Sequence, residues 1–148
     1  MSNNEVLNKI ILNTQKSKDK KFCYEKGSIA LPIINELLDA NENIECLMAF
    51  TWRGYKSRKF KGLIAVSNQK LIIIQVEKTL TGKPKFEDIR LVSLDQFVIT
   101  EQTGIRKTNP LTHNFRYNYK PIGKNKTYED LGFLTVERAD YLIAAKKN

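Results

Sequence analysis

Cysteine is nearly absent from this sequence. Two cysteines, Cys23 and Cys46, stand in 148 residues, and neither belongs to a Cys-x-x-Cys pair. A disulfide framework is therefore excluded as the source of stability, and a reduced, cytoplasmic chain is expected. Histidine is scarcer still. The single His113 lies in a polar stretch beside Asn114 with no nucleophile or metal-ligand spacing around it, so it reads as an ordinary surface residue. No glycine-rich phosphate loop occurs. The acids that stand side by side, Glu87-Asp88 and Glu129-Asp130, fall in segments of strand pattern, where neighbours point to opposite faces and form no carboxylate dyad. No catalytic set, metal site or cofactor is expected, and the chain reads as a non-enzyme. Apolar runs stay well short of the roughly 18 residues that span a bilayer, and the N-terminus has neither the basic flank nor the apolar core of a leader.

Positive charge is what the sequence has in excess: a net charge of +9 and a pI near 9.5. Such a surplus suits an acidic partner, whether nucleic acid, an anionic membrane surface or an acidic protein. At 148 residues, one domain with a sizeable core is expected.

Period-2 patterning dominates the middle of the chain. From Ile44 to Trp52 the bulky apolar residues take alternate positions, as in a strand with one buried face. Strands over 60–66 and 71–76 follow, the last with three successive isoleucines. Further strands are expected over 86–92, 97–101, 115–119 and 127–134, with a polar loop over 104–114 that contains the turn signal Asn109-Pro110. Helical spacing appears at three places: Val6, Leu7, Ile10 and Ile11 within 5–15; Ile29, Ile33, Ile34, Leu37 and Leu38 within 28–40, capped by Ser28; and Val136, Ala139, Leu142 and Ile143 within 135–145. The lysine-rich run 16–21 reads as a linker. Residues 1–27 are thus expected to be an N-terminal helix and basic linker, and 28–148 the domain proper.

One segment carries a resemblance. Lys61-Gly62-Leu63-Ile64-Ala65-Val66-Ser67-Asn68-Gln69-Lys70-Leu71-Ile72-Ile73 is similar to the small-and-apolar strand, then Thr-Asn-x-Arg/Lys-Leu, of bacterial pleckstrin-homology-like (PH-like) domains of the short bacterial and prophage type. Ser67 stands for the usual Thr and Lys70 for the commoner Arg. The link Val92-Ser93-Leu94-Asp95-Gln96-Phe97 resembles the family's passage from fourth to fifth strand. The resemblance implies an α+β, mainly β fold: a seven-stranded antiparallel, partly open barrel capped by a C-terminal helix, here with an N-terminal helical extension. Against that pattern, 103–114 is longer than the expected tight hairpin.

Two basic groups are candidate sites. Trp52, Arg53, Tyr55, Lys56, Arg58, Lys59 and Lys61 place five cations within nine residues, interleaved with aromatics, at the first strand connection. In eukaryotic relatives of the fold, a basic motif in this loop grips phosphoinositide headgroups, and Lys56-Ser57-Arg58 resembles part of it. The same lysines also suit a solubilised hairpin whose Trp52 and Phe60 serve the core. A secondary patch, Arg106, Lys107, Arg116, Lys120, Lys124 and Lys126, lies around the later loops near Tyr117 and Tyr119, a combination that suits single-stranded nucleic acid. The reading is a binding module that engages a protein partner or anionic surface through the loop between the first two strands. The alternatives are a nucleic-acid binder or phage-type protein acting on a host nucleoprotein, and a homo-oligomer paired through a sheet edge.

Overall fold

A computed structural model describes residues 3–12, 17–53, 59–106, 109–125 and 127–135. Two helices, α1 (Asn3–Ile10) and α2 (Ser17–Glu36), precede seven strands: β1 (Ile44–Arg53), β2 (Lys59–Ser67), β3 (Lys70–Lys78), β4 (Pro84–Ser93), β5 (Phe97–Arg106), β6 (Asn109–Tyr119) and β7 (Tyr128–Thr135). The strands pair antiparallel in the order β4-β3-β2-β1-β7-β6-β5. The ladder does not close, and β4 and β5 are its edges.

Burial on both faces of the β1–β3 half explains much of the sequence. Cys46, Met48 and Phe50 of β1 face one cluster, with Ile64, Val66, Leu71, Ile73, Val92, Phe97 and Tyr119. Leu47 and Ala49, on the opposite face, meet Leu63, Ala65, Ile72 and Ile74 beneath the helices. The expectation of a single buried face on β1 is thereby corrected. The run Cys46-Leu47-Met48-Ala49-Phe50 is continuously apolar because the sheet lies between two packed layers.

The helical layer also departs from expectation. The lysine-rich run 16–21 is no linker, since α2 begins at Ser17 and continues unbroken through Gly27-Ser28 for 20 residues. Ser28 is an interior residue whose hydroxyl donates back to the Glu25 carbonyl at 3.0 Å. Gly27 sits there for closeness. A Cβ added to it would come within 2.9 Å of Leu47 Cδ2 and 3.1 Å of Leu7 Cδ2, so the missing side chain lets α2 settle onto α1 and β1 together. The buried stripe is Cys23, Gly27, Ala30, Leu31 and Ile34, whereas Ile29, expected inside, is 48% exposed. Pro32 occupies the exposed side of the helix interior, where it removes one backbone hydrogen bond. Beyond α1, Ile11 forms a parallel bridge with Leu47, and the Leu12 N–H donates to the Leu47 carbonyl at 3.0 Å.

The expected polar loop over 104–114 is instead a hairpin. β5 and β6 pair from Phe97↔Tyr119 to Arg106↔Asn109, with three register shifts that absorb extra residues along the way. Pro110 is tolerated one residue inside the start of β6. At the open side, the turn after β6 reaches β4: the Ile122 N–H donates to the Leu91 carbonyl at 2.7 Å, and Arg90 donates to the Tyr119 hydroxyl. Thr135, expected to cap a C-terminal helix, is the last residue of β7. The remainder of that expected helix, 136–145, lies outside the described residues.

Candidate functional site

Arg53 pairs with Lys59 at the end of the β1–β2 ladder, Trp52 with Phe60, and Thr51 with Lys61. Arg53, Lys59 and Lys61 thus stand within the last three register positions of the β1–β2 ladder. On its other edge β1 meets β7 over Thr51↔Phe133, Trp52↔Gly132 and Arg53↔Leu131. Tyr55, Lys56 and Arg58 lie outside the described residues.

Lys61 is half-buried, with its ammonium 4.3 Å from the centroid of the Phe22 ring. That contact fixes the first half of α2 beside the hairpin. Lys18 and Lys21 are exposed there, and Lys20 and Lys26 are partly so. The ion pair Lys21–Glu25, at 3.9 Å and open to solvent, costs little to open. Residues 52–61 carry five cations and no acid, and residues 17–26 carry four cations against two acids; together they hold seven of the nine net charges. Lys61 of the one run and Phe22 of the other, far apart in sequence, are in contact. Phe22 makes that contact from the partly buried side of the α2 lysines' own segment without carrying charge itself.

The secondary patch is divided. Arg106 ends the β5–β6 ladder at the hairpin tip, while Lys120 follows Tyr119 at the other end. Arg106 lies opposite Asn109, so the eleven residue steps from Asn109 to Lys120, at about 3.3 Å each, separate them by roughly 36 Å. Arg116 lies in mid-strand opposite Glu101 and Leu131. Lys107 and Lys126 lie outside the described residues. Lys120 and Lys124 instead share an open depression with Ser93, Gln96, Ile122 and Asn125.

The motif that carries the family resemblance does structural work. Ser67 and Lys70 bracket the β2–β3 turn, and both reach Glu42, in the connection between α2 and β1. The Lys70 ammonium lies 2.6 Å from Glu42 Oε1; the two side chains are 7% and 0% exposed. The Ser67 hydroxyl donates to Glu42 Oε2, and the Asp39 N–H donates to Oε1 at 3.0 Å. The N–H groups of Gln69 and Lys70 in turn donate to the Ser67 hydroxyl at 3.0 and 2.9 Å. Burial works to raise the Glu42 carboxyl. The Lys70 hydrogen bond, the Ser67 hydroxyl, the Asp39 N–H and the Lys70 charge outweigh it and hold the group below its ordinary value. Sequence reasoning missed Glu42, which lies 28 residues from Lys70 and belongs to no recognisable spacing.

The acids Glu87 and Asp88 pair separately. Glu87 takes Lys85 at 2.7 Å, and Asp88 takes Arg90 at 2.5 Å. Glu129 and Asp130 sit in the β6–β7 ladder opposite Asn118 and Tyr117, and His113 is placed in β6, opposite Ile105 and Leu134. Among the described residues no three His, Cys, Asp or Glu side chains are grouped to hold a metal ion, and no helix is long and apolar enough to cross a membrane.

No family model and no curated protein matches this sequence. Among solved structures, the hSac2 domain from human phosphoinositide phosphatase Sac2 is similar, with a TM-score of 0.52 and 13% identity over 90% of this chain and 85% of that one. At that identity the likeness shows a shared fold and nothing of a ligand. The neighbours also include the DH/PH domains of p115-RhoGEF, at a TM-score of 0.45 and 14% identity over 76% of this chain; the chain spans 32% of that structure's length. A likeness that loose carries no argument. The class established is a mainly β domain with an open antiparallel sheet and a helical layer, of the arrangement seen in the hSac2 domain.

Proposed function

We propose that the chain is a non-enzymatic binding module of PH-like fold that holds an anionic partner on a basic surface built jointly by the β1–β2 hairpin and the first half of α2. The observation that supports this reading is the stacking of Lys61 on Phe22, a contact between one residue from each of two runs that together hold seven of the nine net charges. A surface of one sign steers an oppositely charged partner and makes the encounter salt-dependent. In this reading the strands form a partly open barrel. The favoured partner is an acidic protein surface. Self-association through β4 is disfavoured, because Pro84, Lys85 and a bulge at Asp88 all obstruct a second strand on that edge.

Capture from host lysate, with and without nuclease and at two salt concentrations, tests the reading. The wild-type chain should retain a specific protein after nuclease treatment. The variant Arg53→Glu/Lys56→Glu/Arg58→Glu/Lys59→Glu should lose it while unfolding at the same temperature, and Lys18→Glu/Lys21→Glu should weaken it. Undiminished capture by the fourfold variant would refute the proposed surface. Loss of all capture on nuclease treatment would make nucleic acid the partner, with affinity falling log-linearly in salt.

A further inference from the structure

The depression between the β4–β5 connection and the β6–β7 turn lies on a different part of the chain from the hairpin. Its polar lining is uniform in one respect. Its residues with polar side chains are Lys120, Lys124, Gln96, Asn125 and Ser93, and no Asp or Glu is among them. Asp95, the neighbouring acid in sequence, is exposed and stands outside the lining.

The frame beneath these groups is held. Pro121 is buried, the Ile122 N–H is bonded to the Leu91 carbonyl at 2.7 Å, and the Lys124 N–H closes the turn on the Pro121 carbonyl at 3.1 Å. Gly123 takes φ +82, which lets the turn close without a side chain over the opening; a Cβ there would meet nothing within 4 Å. Beside the turn, Tyr119 is pinned by Arg90 and stacks on Phe97 with ring centroids 6.3 Å apart. The Ser93 hydroxyl makes no capping bond to the short 3-10 turn Leu94–Gln96 that follows it. Two cations and three neutral polar residues, set on that turn and on the facing β4–β5 connection, suit a compact, multiply charged oxyanion, whose several oxygens can each meet a donor. A singly charged carboxylate offers fewer oxygens and half the charge.

We propose that this depression is a second binding site, independent of the hairpin surface, and that it takes a phosphate group, free or carried on a small ester. Titration of the full chain with inorganic phosphate, glycerol 3-phosphate and acetate, followed by amide NMR at fixed ionic strength, tests it. Inorganic phosphate and glycerol 3-phosphate should each shift the Ile122, Gly123, Lys124 and Asn125 amides saturably, and the tighter of the two names the source of the phosphate group. The variant Lys120→Gln/Lys124→Gln should weaken both by about tenfold, with its remaining spectrum unchanged because both side chains are exposed. Shifts that rise linearly without saturating, or equal saturation by acetate, would overturn the site. The fourfold hairpin variant should keep these shifts, which separates this proposal from the preceding one.

Discussion

Replacing Glu42 by Gln removes the charge from a carboxylate with no exposed surface and leaves its partner Lys70 an ammonium only 7% exposed. Removing one member of a buried pair costs about 3–5 kcal/mol, since the remaining charge stays desolvated. The lower end is expected here. Asp39 remains 3.9 Å from Lys70, and the Gln oxygen still accepts from the Asp39 N–H. About 3 kcal/mol corresponds to a fall in Tm of roughly 6–12 °C for a domain of this size. Urea unfolding of Glu42→Gln, Lys70→Met and the double variant measures it. The double variant, with no stranded charge, should recover to within about 1 kcal/mol of wild type. A loss below about 1 kcal/mol in Glu42→Gln, or a double variant as unstable as the sum of the singles, would refute the reasoning. The acid limb gives an independent check. The folded Glu42 carboxyl lies below its ordinary value of 4.5, so the unfolded chain takes up the proton first. Its contribution is complete above that ordinary value and drains away as pH falls through the folded one. Wild type and Glu42→Gln should therefore converge in stability on acidification.

Gly27→Ala should destabilise by about 1 kcal/mol although helix propensity alone favours Ala by a similar amount. The added Cβ meets Leu47 and Leu7, which have no exposed surface into which to retreat; a rise in Tm would refute the close-packing account. Asp88 holds φ 49 at the β4 bulge and pairs with Arg90. Asp88→Asn should change stability by less than about 0.5 kcal/mol, whereas Asp88→Val should cost about 1–3 kcal/mol, both read by chemical denaturation.

Strand positions were legible because alternation and β-branched runs report sheet packing directly. Ile72-Ile73-Ile74 marks β3, and the central strands are found within a few residues of where periodicity puts them. Two elements misled for physical reasons. Lysines 16 to 21 carry no apolar periodicity of their own, and Gly27-Ser28 imitates a helix start, so α2 was cut at the residue whose lack of a side chain lets it pack. The polar, bulged strands β5 and β6 lack alternation at 104–114, and their pairing comes from each other. At the candidate site, the hairpin cations were visible as composition. Their union with α2 was not, because it depends on Phe22 meeting Lys61 across 39 positions. Glu42 had no signal at all, its role existing only once the connection before β1 and the β2–β3 turn are adjacent.

Mechanically, α2 is a beam held at three points. Gly27 rests it directly on Leu47, Phe22 ties its first half to Lys61 at the hairpin end, and the segment after its last turn is anchored by Glu42 to Lys70. The two outer supports sit on β2 and β3 at opposite ends of the same pair of strands. A load applied to the lysine-bearing end has Gly27 as its fulcrum, and the far support that must resist it is the buried pair of Glu42 and Lys70.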